Sequence, residues 1–365
     1  MNNLEVITIT KHKLEDAILN NTFWNCKMDA PFSKNKAKWM LKNDRANADD
    51  TLAVFAYDGK KIIALVYLVP DLITTNNNLT KKVFWSQRWW VADKYKDTVL
   101  STYIKKLSLN ASKNNVLVKF LGDNTKAYYK KQPFTEFSKR KRYIIIFSLD
   151  YELLIYKKES LKKAASLIKL ADRFSRKIIA KLNKSKTKIN KSLINYKSVS
   201  HLNDELWDFL NKHCVNDIVP KDKAYINWQI DNNQYHVINN KEDKLGYKCL
   251  LGSISDKMYN SNLVVKNNDE IIGFISGFIS NNRFIVRYFI SDKNFYSECA
   301  KVLIRAVIDT ECTILQTENT VLGEYVMSNF HKVYADVKPL VSLIHNDIDV
   351  DMNNAMMTDQ DGNFF

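Results

Sequence analysis

Glycine and proline are scarce in this chain of 365 residues, which has eight glycines and five prolines. Chains that are largely disordered or of low complexity are usually rich in these residues, so the scarcity argues against long segments of that kind. The longest apolar run, Tyr143 to Phe147, is far shorter than the roughly 20 residues that a bilayer span needs. No apolar segment follows a basic start. These absences predict a globular, cytoplasmic protein.

The cysteines form no recognisable pairs. There are five, an odd number, and they are scattered without a Cys-x-x-Cys spacing, while the six histidines are equally dispersed. Zinc sites and disulfide frameworks need such residues at short or regular spacings. The sequence therefore predicts reduced thiols and no metal site.

Two halves of the chain repeat the same pattern. The heptad Arg88 to Lys94 returns as Arg287 to Lys293, with aromatic or apolar residues at the same places. Upstream, Ile62 to Val66 is matched by Ile271 to Ile275, each just after a polar turn. A length of 365 residues also fits two domains of roughly 100–200 residues each. The sequence predicts a tandem duplication of one unit.

Within each half, apolar residues alternate in short runs and then recur at a helical spacing. A hairpin about Asp58 and Gly59 is followed by strand, helix, strand, helix and strand. This order predicts the α/β (α+β) class, with a mixed, mainly antiparallel sheet flanked by helices in each unit. We predict units at 1–150 and 195–345, a basic helical connector at 151–194 and a flexible acidic tail at 346–365.

Most of the net charge lies in the connector. Residues 151–197 contain twelve lysines and two arginines against three carboxylates, a net +11 of the total +15. Apolar residues spaced by three or four predict one helix over residues 157–191, with its apolar side packed on the units. The basic side is either a solvated linker face or a surface for an anionic partner. An anionic membrane or a phosphate-bearing glycan carrier fits better than nucleic acid, because base-stacking aromatic residues are nearly absent there.

The order of elements resembles the GNAT superfamily of acyl-CoA N-acyltransferases, and the duplication resembles its tandem members. Each heptad ends a strand directly before a helix, where the family has its pyrophosphate-binding passage. The series Asn124, Tyr129, Phe134 and its copy Asn319, Tyr325, Phe330 stand where the family has its conserved asparagine, tyrosine and phenylalanine. The resemblance covers residues 1–150 and about 195–345.

The resemblance implies acetyl-CoA or another acyl-CoA as co-substrate, and it assigns site residues. In the family a tyrosine at the place of Tyr129 or Tyr325 protonates the departing thiolate; the alternative is that each tyrosine only packs a short helix on the sheet. The implied cofactor-binding residues are Trp89, Val91, Lys94, Lys96, Thr98 and Asn124. The family's glycines, which let phosphates approach the backbone, are missing from both Lys96–Ser101 and Tyr296–Lys301. The first unit is the better candidate, because its loop is the more basic.

Three further residues are candidates for binding a small-molecule acceptor. Trp39 precedes the first hairpin as Trp228 precedes the second, and either ring could stack on a sugar or anchor the core. Alternation along the strand from Val83 to Val91 sends Trp85 and Gln87 to one face.

By the same resemblance, the expected function is acyl transfer to an amine, with an amino sugar or nucleotide sugar of cell-envelope polysaccharide synthesis as acceptor. The alternatives are a Fem-type aminoacyl transferase that uses charged tRNA, and a catalytically silent binding protein. The expected location is the cytoplasm, with a peripheral site on the inner membrane face if the connector binds lipid.

Overall fold

Two large sheets dominate the computed structural model. It describes residues 4–137, 140–151, 154–155, 158–189, 193–237, 248–251, 254–255, 258–350 and 356–364. Each sheet has seven strands, and helices pack on both. The predicted α/β class with two tandem units is thereby confirmed.

The first sheet is built mainly from the amino-terminal half. In spatial order its strands are β1 (Leu4–Thr10), β3 (Thr51–Asp58), β4 (Lys61–Thr74), β5 (Thr80–Val91), β6 (Val116–Val118), β18 (Ser342–His345) and β7 (Phe134–Phe137). Only β5 and β6 run parallel to each other. The predicted hairpin joins β3 to β4, and Gly59 supplies the left-handed turn residue with φ of 60°.

The second sheet repeats this arrangement. In spatial order its strands are β9 (Ile194–Ser198), β13 (Met258–Asn267), β14 (Glu270–Ser280), β15 (Arg283–Ser291), β16 (Ile314–Thr317), β8 (Lys141–Ile146) and β17 (Tyr334–Pro339). Here the parallel pair is β15 with β16. Asn268, with φ of 52°, occupies the turn position that Gly59 holds in the first unit. Two small parallel pairs join β2 (Ala30–Phe32) to β11 (Cys249–Leu251) and β10 (His236–Val237) to β12 (Ile254–Ser255).

The two units exchange one strand. β8, which precedes the connector, lies in the second sheet between β16 and β17, where Ile146 pairs with Ile314 and Tyr334. β18, from the far end of the second unit, lies in the first sheet between β6 and β7. Each sheet thus takes one strand, the neighbour of an edge strand, from the other side of the connector.

Nine α-helices are present among the described residues. They are α1 (Lys11–Leu19), α2 (Lys34–Leu41), α3 (Leu100–Ala111), α4 (Asp123–Tyr129), α5 (Ala165–Lys186), α6 (Asp204–Cys214), α7 (Lys223–Ile230), α8 (Tyr296–Asp309) and α9 (Thr320–Asn329). Several begin at a side chain that accepts a backbone N–H, such as Ser33 before α2 and Asn319 before α9. No helix in the described part of the chain is both long and apolar enough to cross a bilayer.

The connector forms α5, but its packing differs from the prediction. The ends expected at Lys157 and Lys191 lie outside the described residues, and a short 3₁₀ segment precedes α5. Its buried residues are Asp172 and Asn183, whereas Phe174, Ile178 and Leu182 of the expected docking stripe are exposed. The prediction that the apolar side of this helix docks on the units is therefore wrong. The helix docks instead through a different side, which carries Asp172, Asn183 and the half-buried Ile179 that packs on the core of the second unit.

Candidate functional site

Each sheet opens where its two parallel strands part. β5 and β6 pair only at Phe84 with Val116 and Trp85 with Leu117. In the second unit, pairing of β15 with β16 ends at Ile285. The carboxyl ends of parallel strands are common ligand sites, because diverging strands leave a crevice lined by their last residues.

A β-bulge turns the side chains of β5 beside this opening. Leu65 pairs with Trp90 and Tyr67 with Gln87, so two residues of β5 face one of β4. Arg88, in the bulge, has φ of 29° and is exposed. Such a bulge redirects the strand's side chains, and here Trp85 and Gln87 face the second unit.

The second unit has a bulge in the same strand, one residue out of step with the sequence repeat. There Phe274 pairs with Ile290, as Leu65 pairs with Trp90 in the first unit. By this register Arg287 stands at the place of Gln87, one residue from Arg88. The duplication holds, but the predicted equivalence of Arg88 with Arg287 is wrong by one position. Tyr129 and Tyr325 lie, as predicted, in equivalent helices, α4 and α9.

A buried lysine occupies the opening of the first unit. The Nζ atom of Lys105, on α3, donates a hydrogen bond to Ser86 Oγ at 2.7 Å. The same Nζ lies 5.6 Å from the centre of the Tyr129 ring and 5.9 Å from that of Trp89. We call Ser86, Trp89, Lys105 and Tyr129 the Lys105 cluster. The one local signal for Lys105 is that it follows the buried Ile104 on α3.

Burial shifts both titratable groups of the Lys105 cluster. The Lys105 side chain is fully buried, which lowers its pKa to about 7. Burial also raises the pKa of Tyr129, and a hydrogen bond with Ser86 partly offsets that rise. At neutral pH the cluster therefore holds a protonated phenol beside an amine that readily gains or loses a proton.

The corresponding place in the second unit is apolar. Ser112 caps the end of α3 by bonding to the carbonyls of Ser108 and Leu109, and Thr310 does the same at the end of α8. Lys105 and Leu303 each precede their cap by seven residues, so Leu303 in the second unit is equivalent to Lys105 in the first. By the strand register, Val286 in the second unit is likewise equivalent to Ser86 in the first. Because a buried leucine and valine fill the same place, the fold itself does not require the lysine and serine.

We expect Lys105→Met to make the protein more stable near neutral pH. Since burial lowers the pKa of Lys105 from 10.5 to about 7, the unfolded chain binds an extra proton between these values. Wild-type stability should therefore rise with pH in this window by at most about 1.4 kcal/mol per unit. The variant cannot gain stability with pH in this way. The difference between its free energy of unfolding and that of the wild type, measured in urea, should therefore shrink from pH 7 to pH 9. The exposed neighbour variant Lys106→Met is the control; an identical pH response in both variants would contradict the burial argument.

The expected cofactor residues lie at the end of β5, on the turn that follows it and at the start of α4. Trp89 and Val91 pack on the α3 side of β5, and Trp89 Nε1 donates to the carbonyl of Ser101 at 3.2 Å. Lys94 and Lys96 are exposed on a 3₁₀ turn before α3, where Lys96 pairs with Asp93 at 2.5 Å. Asn124 lies in the first turn of α4.

Thr98 occupies the entrance to α3. Its Oγ1 accepts a hydrogen bond from the backbone N–H of Leu100 at 3.3 Å and donates one to the carbonyl of Tyr95 at 2.8 Å. The first turn of α3 therefore needs no glycine to adopt helical geometry. The helix terminus still presents backbone N–H groups, which attract anions.

The two expected acceptor-facing tryptophans stack on each other between the units. The rings of Trp39 and Trp228 lie 4.3 Å apart and within 11° of parallel. Each indole N–H donates to the other residue's carbonyl, at 2.7 and 2.8 Å. The Lys36 ammonium, 3.7 Å from the ring centre, covers the other face of Trp39. This reciprocal pair anchors the interface, and stacking on a sugar would require it to open.

The closing segment of the chain covers Trp85 and Gln87. Gln87 Nε2 donates to the carbonyl of Gly362 at 2.9 Å, and Arg287 Nη1 donates to that of Asn363 at 2.5 Å. Gly362 has φ of 65°, and a Cβ there would lie 2.6 Å from the Trp85 ring. Glycine is thus required for both the backbone conformation and the close approach.

Buried cations hold this closing segment. Lys221 Nζ lies 2.9 Å from an Asp361 carboxylate oxygen, and both side chains are fully buried. Lys119 Nζ donates to the Asp359 carbonyl at 2.7 Å. The prediction of a flexible acidic tail is therefore wrong for residues 359–364, where the acidic side chains lie inside the protein.

A cavity of about 360 Å³ lies at the opening of the second unit. Glu318, at the end of β16, is buried there, and pairing with Lys119 and Arg140 outweighs burial and lowers its pKa. Burial raises the pKa of Asp217 and of Asp359 to about 6. Across the described residues, no group of three or more His, Cys, Asp or Glu side chains is arranged to hold a metal ion.

Comparison with known proteins identifies the fold. No family model and no curated protein matches the sequence. The N-myristoyltransferase of Saccharomyces cerevisiae, solved with bound myristoyl-CoA, aligns with a TM-score of 0.53 at 11% identity, over 98% of this chain and 90% of that one. A probable N-acyltransferase of Enterococcus faecalis aligns at 0.48 and 10%, over 94% and 73%. A putative acetyltransferase of Pyrococcus horikoshii aligns at 0.48 and 9%, over 97% and 93%. The chain has the fold of the GNAT superfamily of N-acyltransferases, built twice in tandem.

Proposed function

We propose that this protein transfers an acyl group from an acyl-CoA to an amine, and that the opening of the first unit is the acyl-CoA site. The observation that carries the proposal is the Lys105 cluster. A buried amine, a hydroxyl and a phenol meet where β5 and β6 part, whereas the second unit has leucine and valine in the places of the amine and hydroxyl. Polar groups cost free energy to bury, so their retention in one unit alone favours a functional role there.

The reaction exchanges a thioester for an amide. The acceptor nitrogen forms a bond to the carbonyl carbon, the bond from that carbon to sulfur breaks, and the nitrogen loses a proton to solvent. Tyr129, which burial keeps protonated at neutral pH, donates its phenolic proton to the departing sulfur, and the phenolate then regains a proton from solvent. Ser86 orients the phenol through its hydrogen bond, and Lys105 fixes Ser86.

The proposed donor is acetyl-CoA or a longer acyl-CoA, and the proposed acceptor is an amino sugar or nucleotide sugar of cell-envelope polysaccharide synthesis. The longer donor is included because the S. cerevisiae neighbour was solved with myristoyl-CoA. The amino sugar rests on resemblance to tandem GNAT-like proteins of polysaccharide synthesis. Trp85 and Gln87 could meet such an acceptor only if residues 362–364 moved away.

Calorimetric titration of the full chain with acetyl-CoA, myristoyl-CoA and free CoA tests the donor. We expect saturable binding of at least one acyl-CoA, followed by thiol release when an amino sugar or nucleotide amino sugar is added. Binding without thiol release for any amine would favour a silent binding protein. Absence of binding by all three would favour a Fem-type aminoacyl transferase, to be tested with charged tRNA.

The loop before α3 offers a sharper test of the site. Lys94→Glu with Lys96→Glu should weaken acyl-CoA binding by about 1 to 3 kcal/mol, because charge-assisted bonds to phosphate are lost. The matched control is Lys113→Glu with Lys130→Glu, which makes the same charge change beyond the far end of α3 and after α4. An equal loss in both variants would indicate a general charge effect and would count against a phosphate site at this loop.

A further inference from the structure

One side of the connector helix α5 docks on the protein through polar contacts and through Ile179, which packs on the core of the second unit. Asn183 Nδ2 donates to the carbonyl of His331 at 2.9 Å, and its Oδ1 accepts from the His331 N–H at 2.8 Å. Asp172 Oδ1 accepts from the N–H of Asp150 at 2.8 Å. Asp172 and Asn183 are buried, so the side of the helix that carries them is the docked side.

The opposite side of α5 exposes a continuous apolar stripe. Its five members are between 42% and 71% exposed, and they are spaced by three or four residues, so they lie on one face of the helix. They are Leu167, Leu170, Phe174, Ile178 and Leu182. Single exposed apolar residues are ordinary on protein surfaces, but a row of five along a helix indicates a contact with something apolar.

Basic side chains border this apolar stripe. The 22 residues of α5 contain five lysines and two arginines, and their one carboxylate, Asp172, is on the docked side. Lys177 and Lys184 lie along one edge of the stripe, and Lys181 lies within its width, about one helical turn beyond Ile178. All three lysines are exposed. Their aliphatic stems extend the apolar surface, while their ammonium groups can reach outward to a charged layer.

We propose that α5 is an interfacial helix that binds the surface of an anionic lipid bilayer. The apolar stripe enters the boundary between headgroups and acyl chains, and the bordering lysines contact anionic headgroups. This inference is independent of the proposed acyl transfer. It corrects the sequence-based picture, in which only the basic side faced the membrane and the apolar side was packed on the protein.

Charge decides between a bilayer and a second copy of the chain. Two copies joined through this stripe would bring their lysine rows together, with no carboxylate on the exposed side of α5 to offset them. An anionic headgroup layer supplies the opposite charge along the whole helix. Binding should weaken as salt rises, since the screening length falls from about 10 Å at 0.1 M to about 3 Å at 1 M.

Co-sedimentation of the full chain with vesicles tests the proposal. Vesicles of phosphatidylcholine alone are compared with vesicles that also contain phosphatidylglycerol. We expect the wild type to bind the anionic vesicles at least about tenfold more tightly than the neutral ones at low salt, through apolar insertion combined with charge attraction. An equal affinity for both, or no binding to anionic vesicles, would overturn the proposal.

Two variants separate the apolar and the charged contributions. Leu170→Gln, Phe174→Gln and Ile178→Gln together remove the stripe while keeping good helix-forming residues, and Lys177→Gln, Lys181→Gln and Lys184→Gln together remove charge. Each triple variant should lose about tenfold or more in affinity for anionic vesicles.

The control removes exposed apolar residues elsewhere. Leu79→Gln with Val215→Gln changes side chains that are 66% and 74% exposed on other surfaces, and it should bind like the wild type. Unchanged vesicle binding by the stripe variant would overturn the proposal. The proposal would also be overturned if size-exclusion chromatography showed that the wild type self-associates and that only the stripe variant is monomeric. Unaltered thermal unfolding midpoints establish that the variants fold.

Discussion

Tyr129→Phe should lower the turnover of the proposed reaction by roughly 10² to 10⁴, the range for losing a positioned general acid. The phenol is 5% exposed, and its ring packs at 5.1 Å from Phe134, so phenylalanine keeps the apolar contacts and removes only the hydroxyl. Acyl-CoA affinity should change little, because the hydroxyl acts on the departing sulfur. Steady-state rates of thiol release, together with calorimetric affinity, provide the measurement.

Tyr325→Phe in the second unit is the matched control for this prediction. Tyr325 occupies the equivalent helix, yet its neighbours are Tyr296 and Phe330 in place of a buried lysine. We expect turnover close to that of the wild type. The assignment of the first unit would be contradicted if Tyr325→Phe caused the greater loss. If Tyr129→Phe lowered stability and activity together, Tyr129 would be a packing residue.

Lys221→Met should destabilise the protein by about 3 to 5 kcal/mol, the range for removing one partner of a buried ion pair. Lys221 lies 3.0 Å from Asp217 and 2.9 Å from Asp361, so the variant leaves two carboxylates buried without their cation. Urea unfolding monitored by tryptophan fluorescence measures the loss. The control is Lys223→Met, whose partner Asp204 is fully exposed, so that loss of this ion pair should change the free energy of unfolding little.

The sign of the pH response distinguishes this mechanism from a simple packing defect. Burial already raises the pKa of Asp217 to about 6, and removing the Lys221 cation raises it further above that of the unfolded chain. Stability is then retained at low pH, where Asp217 is protonated, and is lost as pH rises through its raised pKa. The defect of Lys221→Met should therefore be smaller at pH 5 than at pH 8. An equal defect at both values would point to lost packing alone.

Local patterns predicted the elements of this protein well, because alternation and helical spacing are properties of neighbouring residues. The hairpin at Gly59, the mixed and mainly antiparallel sheets and the tyrosine-bearing helices all follow from such patterns. The site was less predictable. In the sequence Lys105 is one of two adjacent lysines on α3, and only the packing of α3 on β5 shows that it is buried beside Ser86.

Long-range pairing explains the predictions that failed. The acidic closing segment looked solvated because the cations that neutralise it, Lys119 and Lys221, are more than 100 residues away in sequence. The periodicity of the connector showed an amphipathic helix but not which side docks, a choice made by Asp172 and Asn183 through distant partners. The residues of β8 and β18 would suit either sheet, so their exchange leaves no trace in local sequence.

The exchange of β8 and β18 also affects how the chain folds during its synthesis on the ribosome. When a ribosome has finished residue 137, β6 and β7 are complete, yet the strand that joins them, β18, is still more than 200 residues from being synthesised. At about 5 to 20 residues per second, the first unit would wait roughly 10 to 40 s with two open sheet edges. Open edges invite pairing with other chains. Nascent chains should therefore depend on chaperones until β18 emerges, and the two units should fold together as a single cooperative body.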